Sequence, residues 1–179
     1  MSRRQDQEEE MSDPPTEPTG TLEARAREFI SSKNPLQRGS NCKIALISPD
    51  HIANIWNSVY RHIEAMAPHS EGEMASADFY EALTNAEMQL WVALDDDEII
   101  ASMITQIVPY PRKMVLRIIS IGGEYMDKWI DNLPVIEHWA LSMGCTSIEC
   151  WGRKGWLKVL KDWKCSYHII TKDLTNRMH

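Results

Sequence analysis

No stretch of this chain holds the roughly 20 consecutive apolar residues that a membrane-spanning helix needs. No apolar core follows Arg3 and Arg4 in the opening MSRRQDQEEE, so that stretch does not read as a secretion signal and the expected compartment is the cytoplasm. Positive charge is also short: 19 Lys and Arg face 26 Asp and Glu, a net charge of −7. A general nucleic-acid binder, which relies on a basic face, is excluded on that balance. Cysteine is scarce. Cys42, Cys145, Cys150 and Cys165 form no C-x-x-C pair and are expected to be reduced, buried thiols. A zinc set of Cys145, Cys150, Cys165 and His168 fails on spacing, because odd offsets along a strand point to opposite faces. Also missing are G-x-S-x-G, H-E-x-x-H and the phosphate-binding G-x-x-x-x-G-K-[ST], so no nucleophile constellation stands out.

What is present is an ordinary globular mixture, 43% hydrophobic and 25% charged over 179 residues, enough for one domain with a core. Residues 1–40 differ from the rest. They are rich in Glu, Asp and Pro, and poor in apolar side chains that could offset chain entropy, so they read as a disordered acidic tail. The domain is expected over 41–179. Cys42 to Ile47 reads as a strand. Ser48-Pro49-Asp50 starts a helix whose stripe is Ile52, Ile55, Trp56, Val59, Ile63 and Met66, with Pro68 as its stop. A second helix is expected over Ser76 to Ala86, capped by Ser76. Strands follow at Met88 to Leu94, Glu98 to Val108 and Met114 to Ile121, joined by an Asp95-Asp96-Asp97 turn and a Pro109-Tyr110-Pro111-Arg112 turn. A third helix over Asp127 to Met143 contains Pro134, which predicts a break or kink. Ser147 to Trp151 is the next strand, Trp156 to Trp163 a short helix, and Tyr167 to Lys172 the last strand. The order is β-α-α-β-β-β-α-β-α-β: an α/β (α+β) mixed sheet flanked by helices, with a parallel crossover after the third helix.

That order resembles the GNAT family of acyl-CoA-dependent N-acyltransferases over about residues 42–174. The runs QLWVA at Gln89, VPYPRKMVLRIISIGGEYMDKW at Val108, GRKGWLKVL at Gly152 and TKDL at Thr171 are similar to GNAT-like proteins of tailed phages and prophages. The resemblance implies acetyl-CoA as cofactor and a small-molecule or protein amine as acceptor. Its cofactor turn, R/Q-x-x-G-x-G/A, falls on Ile119, Ser120, Ile121, Gly122, Gly123, Glu124, Tyr125, Met126 and Asp127. In that family backbone N–H groups and a helix start hold a pyrophosphate there. Here the glycines are adjacent, no basic residue or glutamine leads the turn, and Glu124 and Asp127 are acidic. On the enzyme reading that the resemblance implies, Glu124 or a water would act as base on the amine.

Two departures concern catalysis. The expected helix Trp156 to Trp163 has no tyrosine to protonate a leaving thiolate, and the chain has room for one final strand where family members tend to have two. An alternative therefore stands beside the enzyme: a GNAT-like phage protein without catalysis, a binding or virion-morphogenesis factor with a protein partner in the particle. Trp151, Arg153, Lys154 and Trp156, the chain's basic-aromatic turn, would then meet that partner. Against each stands a plainer role. Acids suit a helix start, lysines solvate a tryptophan core, and the Asp95–Glu98 run suits a hairpin tip. His51, His62, His69 and His138 read as surface or satisfied histidines.

Overall fold

A computed structural model describes residues 42–66, 72–152, 154–166 and 169–174. The acidic tail, Pro68, Arg153, Tyr167 and His168 lie outside the described residues. The elements run β1 (Cys42–Ile47), α1 (Ile52–Met66) after a 3-10 turn at Pro49–His51, α2 (Ser76–Thr84), β2 (Gln89–Asp95), β3 (Glu98–Tyr110), β4 (Lys113–Gly123), α3 (Met126–Trp129), α4 (Pro134–Ser142) and β5 (Ser147–Cys150). A 3-10 turn, Ile130–Asn132, separates α3 from α4, and another covers Lys154–Lys158. The helix expected over Asp127 to Met143 is thus broken, and Pro134 opens its second part. Proline lacks the N–H that a helix interior uses but suits a first turn.

The sheet order is β1-β2-β3-β4-β5, with three antiparallel pairings and then a parallel one between β4 and β5. The α4 crossover makes that parallel pairing reachable. The period-2 alternation of the strands feeds two cores. On one face, Leu90, Val92 and Ile104 meet Ile52, Val59 and Ile63 of α1 and Phe79 and Leu83 of α2. On the other, Trp91, Met103, Leu116 and Ile118 meet Val135, Ile136, Trp139 and Ala140 of α4. Trp91 and Trp139 are fully buried and sit edge to face with centroids 5.1 Å apart. That geometry adds about 0.5–1.5 kcal/mol beyond burial. The Trp91 indole N–H donates to Thr105 Oγ1 at 3.0 Å, which in turn donates to Gln89 Oε1 at 3.1 Å.

Four expectations are corrected. The helix expected at Trp156 to Trp163 is only the 3-10 turn Lys154–Lys158. Eight residues make only about two helical turns, and helix nucleation is too costly for so short a segment to form without a packed face. The described residues 169–172 of the expected last strand carry no strand. A strand needs a partner backbone, and β5 offers only four residues. Ser76 is not the cap of α2. Ala75 is, and its N–H donates to Asp78 Oδ2 at 2.7 Å, while the Ser76 hydroxyl turns to Glu64. Of the cysteines, Cys42 and Cys145 are buried, Cys150 is half-buried and Cys165 is exposed. No helix among the described residues is long and apolar enough to cross a membrane.

Candidate active site

The site starts from one irregularity in β4. Ile104 pairs with Ser120 and Thr105 with Ile118, so Ile119 is an extra residue, a β-bulge. Before it, Leu116 and Ile118 face the α4 core. After it, Ile121 takes that side, and Ser120 and Gly122 turn to α1. The same point ends the pairing with β5, whose last rung is Ile118 with Cys150. From Ile119 to Gly123 the β5-side edge of β4 meets no strand among the described residues. The two strands diverge there.

Backbone parity says which groups face that edge. The Glu124 N–H donates to the Ile100 carbonyl at 2.8 Å. Antiparallel rungs alternate between bonded and non-bonded pairs. Gly122 opposite Ser102 is therefore a bonded rung, while Gly123 opposite Ala101 and Ile121 opposite Met103 are not. The N–H groups of Ile121 and Gly123 point away from β3 into the divergence. A row of such donors can bind an extended amide-bearing arm or polarise a carbonyl.

The glycines of the turn have internal reasons. A Cβ on Gly122 would lie 2.8 Å from Met66 Sδ and 3.1 Å from the His62 carbonyl oxygen. Gly123 has φ 140°, and a Cβ there would lie 2.4 Å from Ala101 Cα. Glu124, Tyr125, Met126 and Asp127 are exposed, with Tyr125 left-handed at φ 50°. The Glu124 carbonyl accepts the Trp129 indole N–H at 3.0 Å. A cation missed by the sequence reading stands behind the turn. Lys128 Nζ is 2.5 Å from Asp95 Oδ2 and 4.9 Å from the Tyr125 ring centre. On the α1 side of the turn, against Gly122, His62 corrects its expected role. It is 5% exposed, and neither ring nitrogen has a hydrogen-bond partner. Burial pushes the imidazole below its ordinary pKa, the Arg61 charge adds to this, and Glu124 opposes it.

At the closed end of the divergence lies a cluster of which the sequence singles out only Trp151. Arg117 and Glu149 are cross-strand partners, and Arg117 Nε and Nη2 each lie 2.6 Å from Glu149 Oε1. Arg117 Nη2 also donates to the Tyr110 hydroxyl at 2.9 Å, and the guanidinium lies 4.2 Å from the Trp151 ring centre. The pair was hidden because 32 residues separate its members; only the β4–β5 register joins them. Glu149 and Trp151 line a cleft of about 1010 Å³, with α4 and Trp156, Leu160 and Trp163 as further walls. None of Ile119 to Asp127 lines it. Of the expected partner surface, Trp151 is exposed and Trp156 half-buried. Arg153 and the Lys154 side chain lie outside the described residues.

No family model matches the chain, and no curated protein matches it in sequence. Solved structures do match. An aminoglycoside acetyltransferase from an uncultured soil metagenomic sample, in complex with sisomicin, aligns at 12% identity and TM-score 0.55, over 74% of this chain and 93% of its own. A ribosomal-protein-alanine N-acetyltransferase from Brucella melitensis biovar Abortus 2308 aligns at 11% and 0.53, over 74% and 98%. A predicted acetyltransferase from Clostridium acetobutylicum, described with acetyl-CoA, aligns at 14% and 0.54, over 77% and 99%. The mixed sheet flanked by helices is thus the fold of the GNAT acetyltransferases.

Proposed function

We propose that this protein is an N-acyltransferase that uses acetyl-CoA as donor and a small-molecule or protein amine as acceptor. The observation that carries this is the open β4 edge: a bulge at Ile119, divergence from β5 after Ile118, and two outward N–H groups, those of Ile121 and Gly123. The fold likeness supports the same reading, since neighbours of this shape are acetyltransferases and one is described with acetyl-CoA. The donor would supply an acyl carbon already activated as a thioester. The edge fits its amide-rich arm and thioester carbonyl. The turn fits a pyrophosphate less well, because Glu124 and Asp127 are exposed acids there and Lys128 is held by Asp95. Donor binding therefore rests on the strand edge more than on the turn. Calorimetry with acetyl-CoA is the test. Affinity tighter than about 1 mM, or roughly 4 kcal/mol, is expected. Weaker binding removes the enzyme reading.

The acids of the turn favour one second reading, a GNAT-fold binding factor without catalysis, such as a phage morphogenesis protein. Packing and chemistry use different residues, so a fold can outlive its reaction. This reading requires no acetyl-CoA binding and a protein partner lost on joint Arg153→Ala and Lys154→Ala substitution. Retention of the partner by that double variant counts against it.

A further inference from the structure

We propose that Tyr110, Arg117, Glu149 and Trp151 form a binding subsite for a small zwitterion, an α-amino acid with an apolar or aromatic side chain. As the acceptor site of the enzyme the cluster depends on the acyltransferase reading; as a binding site it does not.

Three observations lead there. First, the ion pair carries both signs and leaves atoms of each sign unused. Nε and Nη2 of Arg117 converge on Glu149 Oε1, which leaves Oε2 to accept from a ligand. Arg117 spends Nε and Nη2 on Glu149 and Tyr110, which leaves Nη1 to donate. Second, the pair is partly open. Its side chains are 17% and 16% exposed, and the flanking aromatics are more so, Tyr110 at 40% and Trp151 at 53%. Large aromatics left half-bare beside a charged pair form a wall for an apolar body. Third, the cluster adjoins the open edge of β4. Glu149 and Trp151 border the 1010 Å³ cleft, Tyr110 and Arg117 stand beside it without lining it, and Arg117 lies two residues, roughly 7 Å of strand, before the bulge at Ile119. Glu124, five residues beyond Ile119, is roughly 16 Å of strand from it.

Charge accounting selects the ligand. An amine carrying only a cation would satisfy Glu149 Oε2 but place a second positive charge beside Arg117, the two sharing one carboxylate. A simple carboxylate would have the opposite mismatch. An ammonium and a carboxylate on one carbon complement both partners through charge-assisted hydrogen bonds, the stronger class. The aromatic walls then receive the side chain.

The test uses the full chain and three probes of one shape: L-phenylalanine, 2-phenylethylamine and 3-phenylpropionate, each titrated to about 10 mM by calorimetry. The expected result is that L-phenylalanine binds at least ten-fold tighter than either single-charge analogue. Trp151→Ala should weaken it ten-fold or more with melting temperature and acetyl-CoA affinity unchanged; Glu149→Gln should weaken it as much, at a lower melting temperature because it leaves Arg117 without its partner. Trp151→Ala decides the matter if Glu149→Gln does not fold, because Trp151 lies outside the cores. Equal affinity for 2-phenylethylamine, no binding of L-phenylalanine, or insensitivity to Trp151→Ala overturns the proposal. Amino-acid binding without acetyl-CoA binding upholds the subsite and removes the enzyme reading.

Discussion

Gly123 sits where no side chain fits. Its φ of 140° belongs to glycine, and a Cβ would press on Ala101 backbone at 2.4 Å, which cannot swing aside as a flexible side chain would. Strain of about 1–3 kcal/mol adds to a clash of similar size. Gly123→Ala should therefore lower unfolding free energy by about 2–5 kcal/mol in urea, and a loss below about 1 kcal/mol contradicts the assignment. A bulkier residue there would unfold the chain before it blocked any ligand. His62 makes a prediction about pH. Its folded pKa lies below that of a free imidazole, near 6.5. The unfolded chain then takes up the proton first, so stability is full above about pH 6.5 and falls as pH drops from there toward the folded value. Arg61 favours this direction and Glu124 opposes it. His62→Leu removes two unpartnered buried nitrogens and should flatten the melting temperature between about pH 7 and 5. An unchanged slope would place the titration elsewhere.

At the scale of elements, β4 divides into a paired half and a half-open one. Val115 to Ile118 have neighbours on both sides, β3 and β5, and Val115 and Leu116 are fully buried. Their amides should be among the slowest to exchange with deuterium. Beyond the bulge, parity separates neighbours. Ile121 and Gly123 should exchange faster than Gly122 and Glu124, whose N–H groups bond to β3. Residue-resolved exchange by NMR reads this directly, and acetyl-CoA should slow Ile121 and Gly123 selectively. Uniform slow exchange from Ser120 to Glu124 would mean that the edge is covered.

For the molecule as a whole, the buried apolar side chains among the described residues run from Cys42 to Leu160. Residues 1–40 contribute few apolar side chains, so we propose that they are dispensable for folding. A chain beginning at Asn41 should melt within a few degrees of the full chain. A larger drop would show that the acidic segment docks on the domain.

Periodicity alone located the elements from β1 to β5, because burial on two faces forces period 2 on strands and 3.6 on helices. Pro134 alone announced the break between α3 and α4. The final helix and the described residues 169–172 of the final strand differ from the sequence expectation: local propensity is present in both segments, but about two turns of helix do not nucleate without a packed face, and β5 leaves the strand no partner edge. His62 looked like a surface residue, since one histidine on an amphipathic helix does not reveal that its side meets Gly122. The cofactor turn was legible as a pattern, but the reason for its glycines was not, since Met66 and Ala101 are 56 and 22 residues away. The order of elements, the two-sided sheet and the acidic balance follow from local pattern and composition. Which N–H groups of β4 face open space, and that Arg117 meets Glu149, follow from the folded chain alone. Register and divergence between strands are set by long-range pairing, which no local window contains.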